Sequence, residues 1–282
     1  MLCATCYVLH DMFNFLHTFS PTPILIAFGP LRVYWYGLFV VLGILAALTV
    51  SLKLAKKFGL SPNKIFDLSF WMIIAGIIGA RLYHVLLEWN YYSQDYWNIL
   101  KVWQGGLAIH GGLIAGALVL IYFCWKEKVN FWLLTAVFAP GIALGQAIGR
   151  WGNYFNQELF GTPTNLPWGI PINFMNRPDN YLSFGYFHPT FLYESLGDLL
   201  IFAILMIIVI QFLKKKRTDY KIIFLTYLIL YSTLRFSTEF LRTDTTAYFF
   251  GYRWPQIFSL LIIIASLIIL FLPQKKKREA SV

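Results

Sequence analysis

The chain has 282 residues, 58% of them hydrophobic and only 13% charged. One soluble core cannot absorb that much apolar side chain, which excludes an ordinary globular protein and points to lipid as the solvent. The net charge of +10 is dispersed over connections between apolar runs, a pattern that suits anionic lipid headgroups and membrane topology and excludes nucleic acid as the partner.

Residues 1–32 form an N-terminal segment expected outside the cell. Met12 offers a plausible later start, so residues 1–11, with Cys3 and Cys6, read as a start-site artefact. The apolar run from Val33 is too long for a cleavable signal peptide and has no small-residue cleavage site behind it. From there, seven runs are each long enough to cross a hydrocarbon core about 30 Å thick, which takes roughly 20 helical residues. They are 33–54, 65–89, 106–125, 131–149, 189–213, 222–241 and 254–272. The expected fold class is an all-α polytopic membrane protein, with residues 33–272 forming a single seven-helix domain.

Basic residues in short connections stay on the cytoplasmic side. Lys53, Lys56, Lys57 and Lys64 follow the first run, Lys126 and Lys128 the third, Lys214, Lys215, Lys216, Arg217 and Lys221 the fifth, and Lys275, Lys276, Lys277 and Arg278 the last. Every second connection is therefore basic. The N terminus is expected outside and the C terminus inside, with 273–282 as a basic cytoplasmic tail. Of the outer connections, the longest is 151–187, rich in Pro, Gly, Asn and Trp; it is expected to form a small extracytoplasmic head of irregular or short extended structure.

Arginine segregates away from lysine. Arg32, Arg81, Arg150, Arg177, Arg235, Arg242 and Arg253 all fall in the outer half of a span or in an outer loop. A guanidinium offers a planar fork that grips phosphate or carboxylate in two places, so an outward-facing anion site is expected. For Arg32, Arg177 and Arg253 singly, an ordinary ion pair or snorkelling to the interface is the simpler expectation. Gly112, Gly116, Gly141, Gly145 and Gly149 read as close-packing positions between helices.

The run 149–161, G-R-W-G-N-Y-F-N-Q-E-L-F-G, closes the fourth span with Arg150, Asn153, Asn156, Gln157 and Glu158. Ionisable groups at a membrane edge are costly and usually face a polar cavity. Arg150 and Asn153 share a face if the helix continues. On the sixth span Tyr231, Arg235, Glu239 and Arg242 form one polar stripe, and His110, Glu194 below His188, Tyr36 and Arg81 reach the same level from other spans. Ion pairs would account for Arg235 with Glu239 and for Arg81 with Glu88. Arg150 has amides and glycines near it on its own span and no carboxylate before Glu158, so its expected partner is a ligand anion. Cys124 and the scattered histidines suggest neither a disulfide framework nor a metal site, and no nucleophile elbow is present.

Gly149, Arg150, Gly152, Asn153, Asn156, Glu158 and Gly161 resemble the signature of the prolipoprotein diacylglyceryl transferase family. Further matches are Arg-Val-Tyr-Trp-Tyr-Gly at 32–37, Gly-Ala-Arg-Leu-Tyr at 79–83, Gly-Gly-Leu-Ala-Ile-His-Gly-Gly at 105–112, His-Pro-Thr-Phe-Leu-Tyr-Glu at 188–194 and the stripe on the sixth span. The resemblance covers residues 12–272; one departure is that Arg242-Thr-Asp244 lacks the proline usual there.

The resemblance implies transfer of the diacylglyceryl group of phosphatidylglycerol to the thiol of a lipobox cysteine in a prolipoprotein signal peptide, with release of glycerol 1-phosphate. It implies a bacterial cytoplasmic membrane, a site facing the outer leaflet, a fold that opens sideways to the bilayer, and no metal or organic cofactor. Arg150 and Arg235 would hold the phosphate and stabilise charge as the C–O bond breaks, with Glu239 beside them. Asn153, Glu158 and Gly161 would shape that grip, and Tyr36, Tyr231, His188, Glu194 and Arg242 complete the expected substrate-binding set. His110 is the expected base for the thiol, and two alternatives stay open: His110 bonded to the lipid, or a thiolate stabilised directly by arginine. A lipid or anion transporter is the other functional class, but it should carry polar groups through both halves of the membrane and an internal repeat, and neither is found.

Overall fold

The computed structural model describes residues 14–29 and 31–272; the start-site reading of 1–11 and the basic tail 273–282 lie outside them. The long helices are α1 (Trp35–Lys57), α2 (Pro62–Leu87), α3 (Ile109–Glu127), α4 (Phe131–Asn156), α5 (Thr190–Lys214), α6 (Lys221–Thr238) and α7 (Trp254–Phe271). Each lies on one of the predicted runs, as hydrocarbon requires, since a spanning segment must satisfy its own backbone polar groups. Pro62 opens α2 where its missing N–H costs nothing, and Lys128 ends α3 in a left-handed turn at φ 53°.

The largest boundary difference is at α4, which runs past 149 through Arg150 and Asn153 to Asn156. Among the described residues, six of these helices are long and apolar enough to cross a membrane. The exception is α6, where Lys221, Arg235, the tyrosines and the hydroxyl residues dilute the apolar character of its 18 residues. Leu113, Ile114 and Leu118 on α3 and Leu261, Ile264 and Ile268 on α7 are exposed where a soluble protein would carry charge. The chain is a polytopic membrane protein.

The chain divides into two compact units, one holding the residues up to Ala47 and those from Ala139 onward, the other Leu48–Phe138. In the second unit, glycines bring α2 against α3. A Cβ added at Gly111 would sit 2.2 Å from the Gly79 carbonyl oxygen, and one added at Gly112 would lie 3.2 Å from the Gly76 oxygen. The connection between the two helices folds as a one-turn helix, Trp89–Tyr92, and two 3-10 turns, Tyr96–Leu100 and Val102–Gln104. Arg81 is buried beneath it. Its Nε donates to Ile99 O at 2.8 Å, Nη1 to Gly105 O at 2.6 Å and Gly106 O at 2.9 Å, and Nη2 to Asn98 O. Arg81 therefore does not pair with Glu88: the short turns leave a ring of carbonyls without helical partners, and the guanidinium supplies donors to it.

In the first unit three small antiparallel hairpins accompany the helices: β1 (Ile24–Phe28) with β2 (Leu31–Tyr34), β3 (Ile170–Pro171) with β4 (Tyr186–Phe187), and β5 (Tyr248–Phe249) with β6 (Tyr252–Arg253). Short extended structure in the long connection is as expected, although α4 takes its first residues. Leu16, Tyr154, Phe160, Ile170, Ile172, Phe187, Phe191 and Leu192 form a buried apolar cluster under the β3–β4 hairpin. Gln157 staples this region, its Nε2 donating to Pro21 O and its Oε1 accepting from Asn173 N, each at 2.7 Å. Among the described residues, Arg177 makes neither the ion pair nor the interfacial snorkelling expected of it but donates to backbone carbonyls, Ile172 O at 2.9 Å and Leu182 O at 3.0 Å; Arg32 is exposed on β2.

Gly145 packs on Gly43, its would-be Cβ 3.0 Å from the Gly43 oxygen, whereas a Cβ added at Gly116 or Gly149 would meet nothing among the described residues within 4 Å, so neither marks a backbone-to-backbone contact. This difference is measurable. Gly111→Ala should destabilise the protein in detergent by about 1–3 kcal/mol because two backbones must separate, while Gly116→Ala should not lower the denaturant midpoint; equal losses would refute the contact.

Candidate active site

The carboxylate of Glu194, one turn inside α5 and 3% exposed, is the hub of the site. Arg150 Nε lies 3.0 Å from it, Arg235 Nη1 3.2 Å and Arg242 Nη2 3.5 Å, and Thr238 Oγ1 donates to it at 3.2 Å. Glu239, wholly buried at the C-terminal end of α6, is the second anion. It lies 2.7 Å from Arg235 Nη2, 2.7 Å from Arg253 Nε and 4.0 Å from Arg242 Nε. Asp244 adds a third, 3.4 Å from Arg253 Nη2 and 3.8 Å from Arg242 Nε. Four guanidiniums thus share three carboxylates.

Arg150 is a correction to the sequence reading. It has a protein carboxylate partner, Glu194, which α5 supplies across a helix contact invisible to spacing on α4 alone. The contact is made through Nε. Arg235 with Glu239 is the i,i+4 pair anticipated on α6, extended by Glu194. Arg253, expected to have an ordinary ion pair, does have one, but inside this cluster. Arg242 shows the strain of like charges: burial first, and then Arg235 and Arg150 against the pull of Glu194 and Asp244, hold its pKa below the ordinary arginine value.

The rest of the signature forms the rim and seam of the cluster. Asn153 Nδ2 donates to Glu158 Oε1 at 2.8 Å and Asn156 Nδ2 to the same oxygen at 3.3 Å, made possible by positive φ at Gln157 and Leu159, which folds the chain back on the helix end. Tyr36 lies within electrostatic reach of Glu158 and Arg150, and its ring covers Gly152, where a Cβ would be 2.8 Å from Tyr36 Cδ2. Tyr231 stacks on Tyr227 at 5.9 Å and is within electrostatic reach of Arg150.

Gly161 bridges to Arg242, and its N–H donates to His188 O at 2.9 Å; a Cβ there would strike His188 Cβ at 2.8 Å, so glycine is required by close approach. His188 Nδ1 is 3.2 Å from Tyr193 Oη, and burial pushes its pKa below the ordinary imidazole value. His110 belongs to the second unit, on the first turn of α3 beside the Tyr83 ring at 6.0 Å.

Three participants escaped the sequence reading: Asp244, Thr238 and Asp198. The last is an acidic residue in the apolar middle of α5, fully buried, with no hydrogen bond to either oxygen among the described residues. Its position four residues after Glu194 was the available signal, since an acid in a span is itself a flag of function.

The sequence profile of the family described as prolipoprotein diacylglyceryl transferase matches residues 23–272, nearly the whole described chain. The chain belongs to that family. It is 46% identical to a phosphatidylglycerol–prolipoprotein diacylglyceryl transferase of a Nostoc species over 80% of each chain. The Synechocystis relative of the same name is 42% identical over 91% of this chain and 92% of its own, and the Finegoldia magna relative is 44% identical over 84% and 90%.

Removing the hub carboxylate leaves three guanidiniums without their shared counter-charge. Glu194→Gln should destabilise the folded protein by about 3–5 kcal/mol, read as a lower thermal midpoint in detergent; an unchanged midpoint would mean that the cluster is solvated and loosely held.

Proposed function

We propose that the arginine–carboxylate cluster grips the phosphate of phosphatidylglycerol while its diacylglyceryl group passes to a prolipoprotein cysteine. Relatives 42–46% identical carry this transfer in their names, and the chain is an enzyme of the same kind. The observation that carries the assignment of the site is the convergence of Arg150, Arg235 and Arg242 on Glu194.

The chemistry has two demands. A cysteine thiol with an ordinary pKa near 8.5 must lose its proton, and a phosphate ester must leave with negative charge. The sulfur lone pair forms a C–S bond to the glyceryl methylene, the C–O bond to phosphate breaks, and the electron pair departs on oxygen as glycerol 1-phosphate. The thiol proton goes to a base. Arg150 and Arg235 stabilise the developing charge on the phosphate oxygens, and because Glu194 and Glu239 already hold them, little reorganisation is needed at the moment of reaction.

Glu158, fixed by Asn153 and Asn156, accepts from the hydroxyls of the glycerol headgroup. Tyr36, Tyr231 and His188 line the polar approach, and His110 is the residue assigned to take the thiol proton. Around this site the chain crosses the membrane seven times with its N terminus outside. The site faces the outer leaflet, where the lipid donor and the exported lipobox cysteine meet, and 151–187 forms the extracytoplasmic head. Basic residues in every second connection support that orientation.

Purified protein mixed with phosphatidylglycerol and a lipobox peptide should add a diacylglyceryl mass to the cysteine; folded protein that yields no product would refute the activity. Arg150→Lys keeps the charge and loses the fork, so turnover should fall by roughly a hundredfold. His110→Gln should lower turnover; retained activity would remove His110 from the role of base.

A further inference from the structure

The sequence offered an ordinary ion pair for Arg253. Its surroundings give it more to do. It is buried, and its side chain spends donors in three directions: Nε to Glu239 Oε1 at 2.7 Å, Nη1 to Arg242 O at 2.9 Å and Nη2 to Asp244 O at 2.8 Å. Its own N–H donates to Gln256 Oε1 at 3.0 Å, fixing Arg253 at the head of α7. Burial works against its charge, yet the hydrogen bond and charge of Glu239, with Asp244, hold its pKa above the ordinary arginine value.

Glu239 is the consequence. Its Oε1 is taken by Arg253, and its Oε2 lies 2.7 Å from Arg235 Nη2. A carboxylate gripped on one oxygen presents the other in a fixed direction, so the Arg235 guanidinium is flanked on both sides: Nη1 donates to Glu194, and Nη2 stands in ion-pair contact with Glu239 Oε2, which makes no hydrogen bond among the described residues. Without Arg253, Glu239 would be free to rotate toward Arg242 Nε, now 4.0 Å away. Arg253 also ties the carbonyls of Arg242 and Asp244, so the chain that follows α6 cannot drift from the start of α7.

We propose that Arg253 is a positioning residue for the transfer reaction: it locks Glu239, and through Glu239 it aims Arg235 at the phosphate of the lipid donor. This rests on the assignment of Arg235 to the phosphate. Lysine cannot replace it, because one ammonium at the end of a flexible chain does not reach a carboxylate and two carbonyls lying in different directions.

The test uses full-length protein in lipid–detergent micelles, with phosphatidylglycerol and a lipobox peptide as substrates. Arg253→Lys should lower kcat about tenfold or more, the effect of a displaced catalytic group, while KM for the lipid changes by less than about twofold because the phosphate-binding charges remain. In a Glu239→Gln background the same substitution should have little further effect on kcat, since the link it acts through is already cut. A merely structural role would instead give independent, multiplying losses in the two backgrounds. Those multiplying losses would overturn the proposal, as would wild-type kcat in folded Arg253→Lys protein. Wild-type protein that makes no product would sink the transfer reading and the positioning role together, whereas an active wild type with uncoupled variants sinks the positioning role alone.

Discussion

The arrangement of this site depends on one shared anion. Glu194 stands within ion-pair distance of Arg150 from α4 and of Arg235 and Arg242 from the end of α6. Three guanidiniums brought together in a poorly solvated place repel one another, and each has lost the water that stabilised its charge. A carboxylate between them makes the gathering possible. Everything nearby is arranged to keep it there: Thr238 donates to it, and Glu239 takes the other end of Arg235.

Stability alone does not account for such a cluster. Replacing buried ion pairs by well-packed apolar side chains is often neutral or favourable, and elsewhere this chain packs its helices with glycine and aliphatic contacts. A membrane protein that places four arginines and three carboxylates in one region accepts a desolvation cost that a purely structural scaffold would avoid. On the proposed reading, the physical benefit is preorganisation. Donors already fixed by protein carboxylates do not have to be gathered when a phosphate ester begins to carry charge. The signature 149–161 then has two jobs in one stretch, with Arg150 inside the cluster and Gly161 sealing the seam against His188 and Arg242.

Much of this was legible in the chain, and the misses share a cause. Hydropathy located every long helix because lipid imposes a length and a composition that neighbouring residues report directly. The polar stripe on α6 and its Arg235–Glu239 pair were legible because both partners lie on one helix face. Arg150 was misread because its carboxylate sits on another helix, and Arg81 because its acceptors are backbone carbonyls, which sequence does not mark. The ordinary ion pair or interfacial role expected of Arg253 did not reveal its place in the cluster, because β6 carries it back to Glu239 on another element. Helix α4 outran its predicted end because Arg150 and Asn153 look like a terminus by hydropathy alone, while their partners Glu194 and Glu158 let the helix continue. Local spacing sees contacts within an element; contacts between elements need the fold.

The central claim is that this arginine cluster receives the lipid phosphate, and the most direct test is to locate that phosphate by electron cryomicroscopy of the protein in nanodiscs rich in phosphatidylglycerol. Headgroup density should lie within hydrogen-bond distance of the Arg150 guanidinium and of Arg235, with Glu194 still beneath them. A phosphate seated away from both arginines in turnover-competent protein would contradict it.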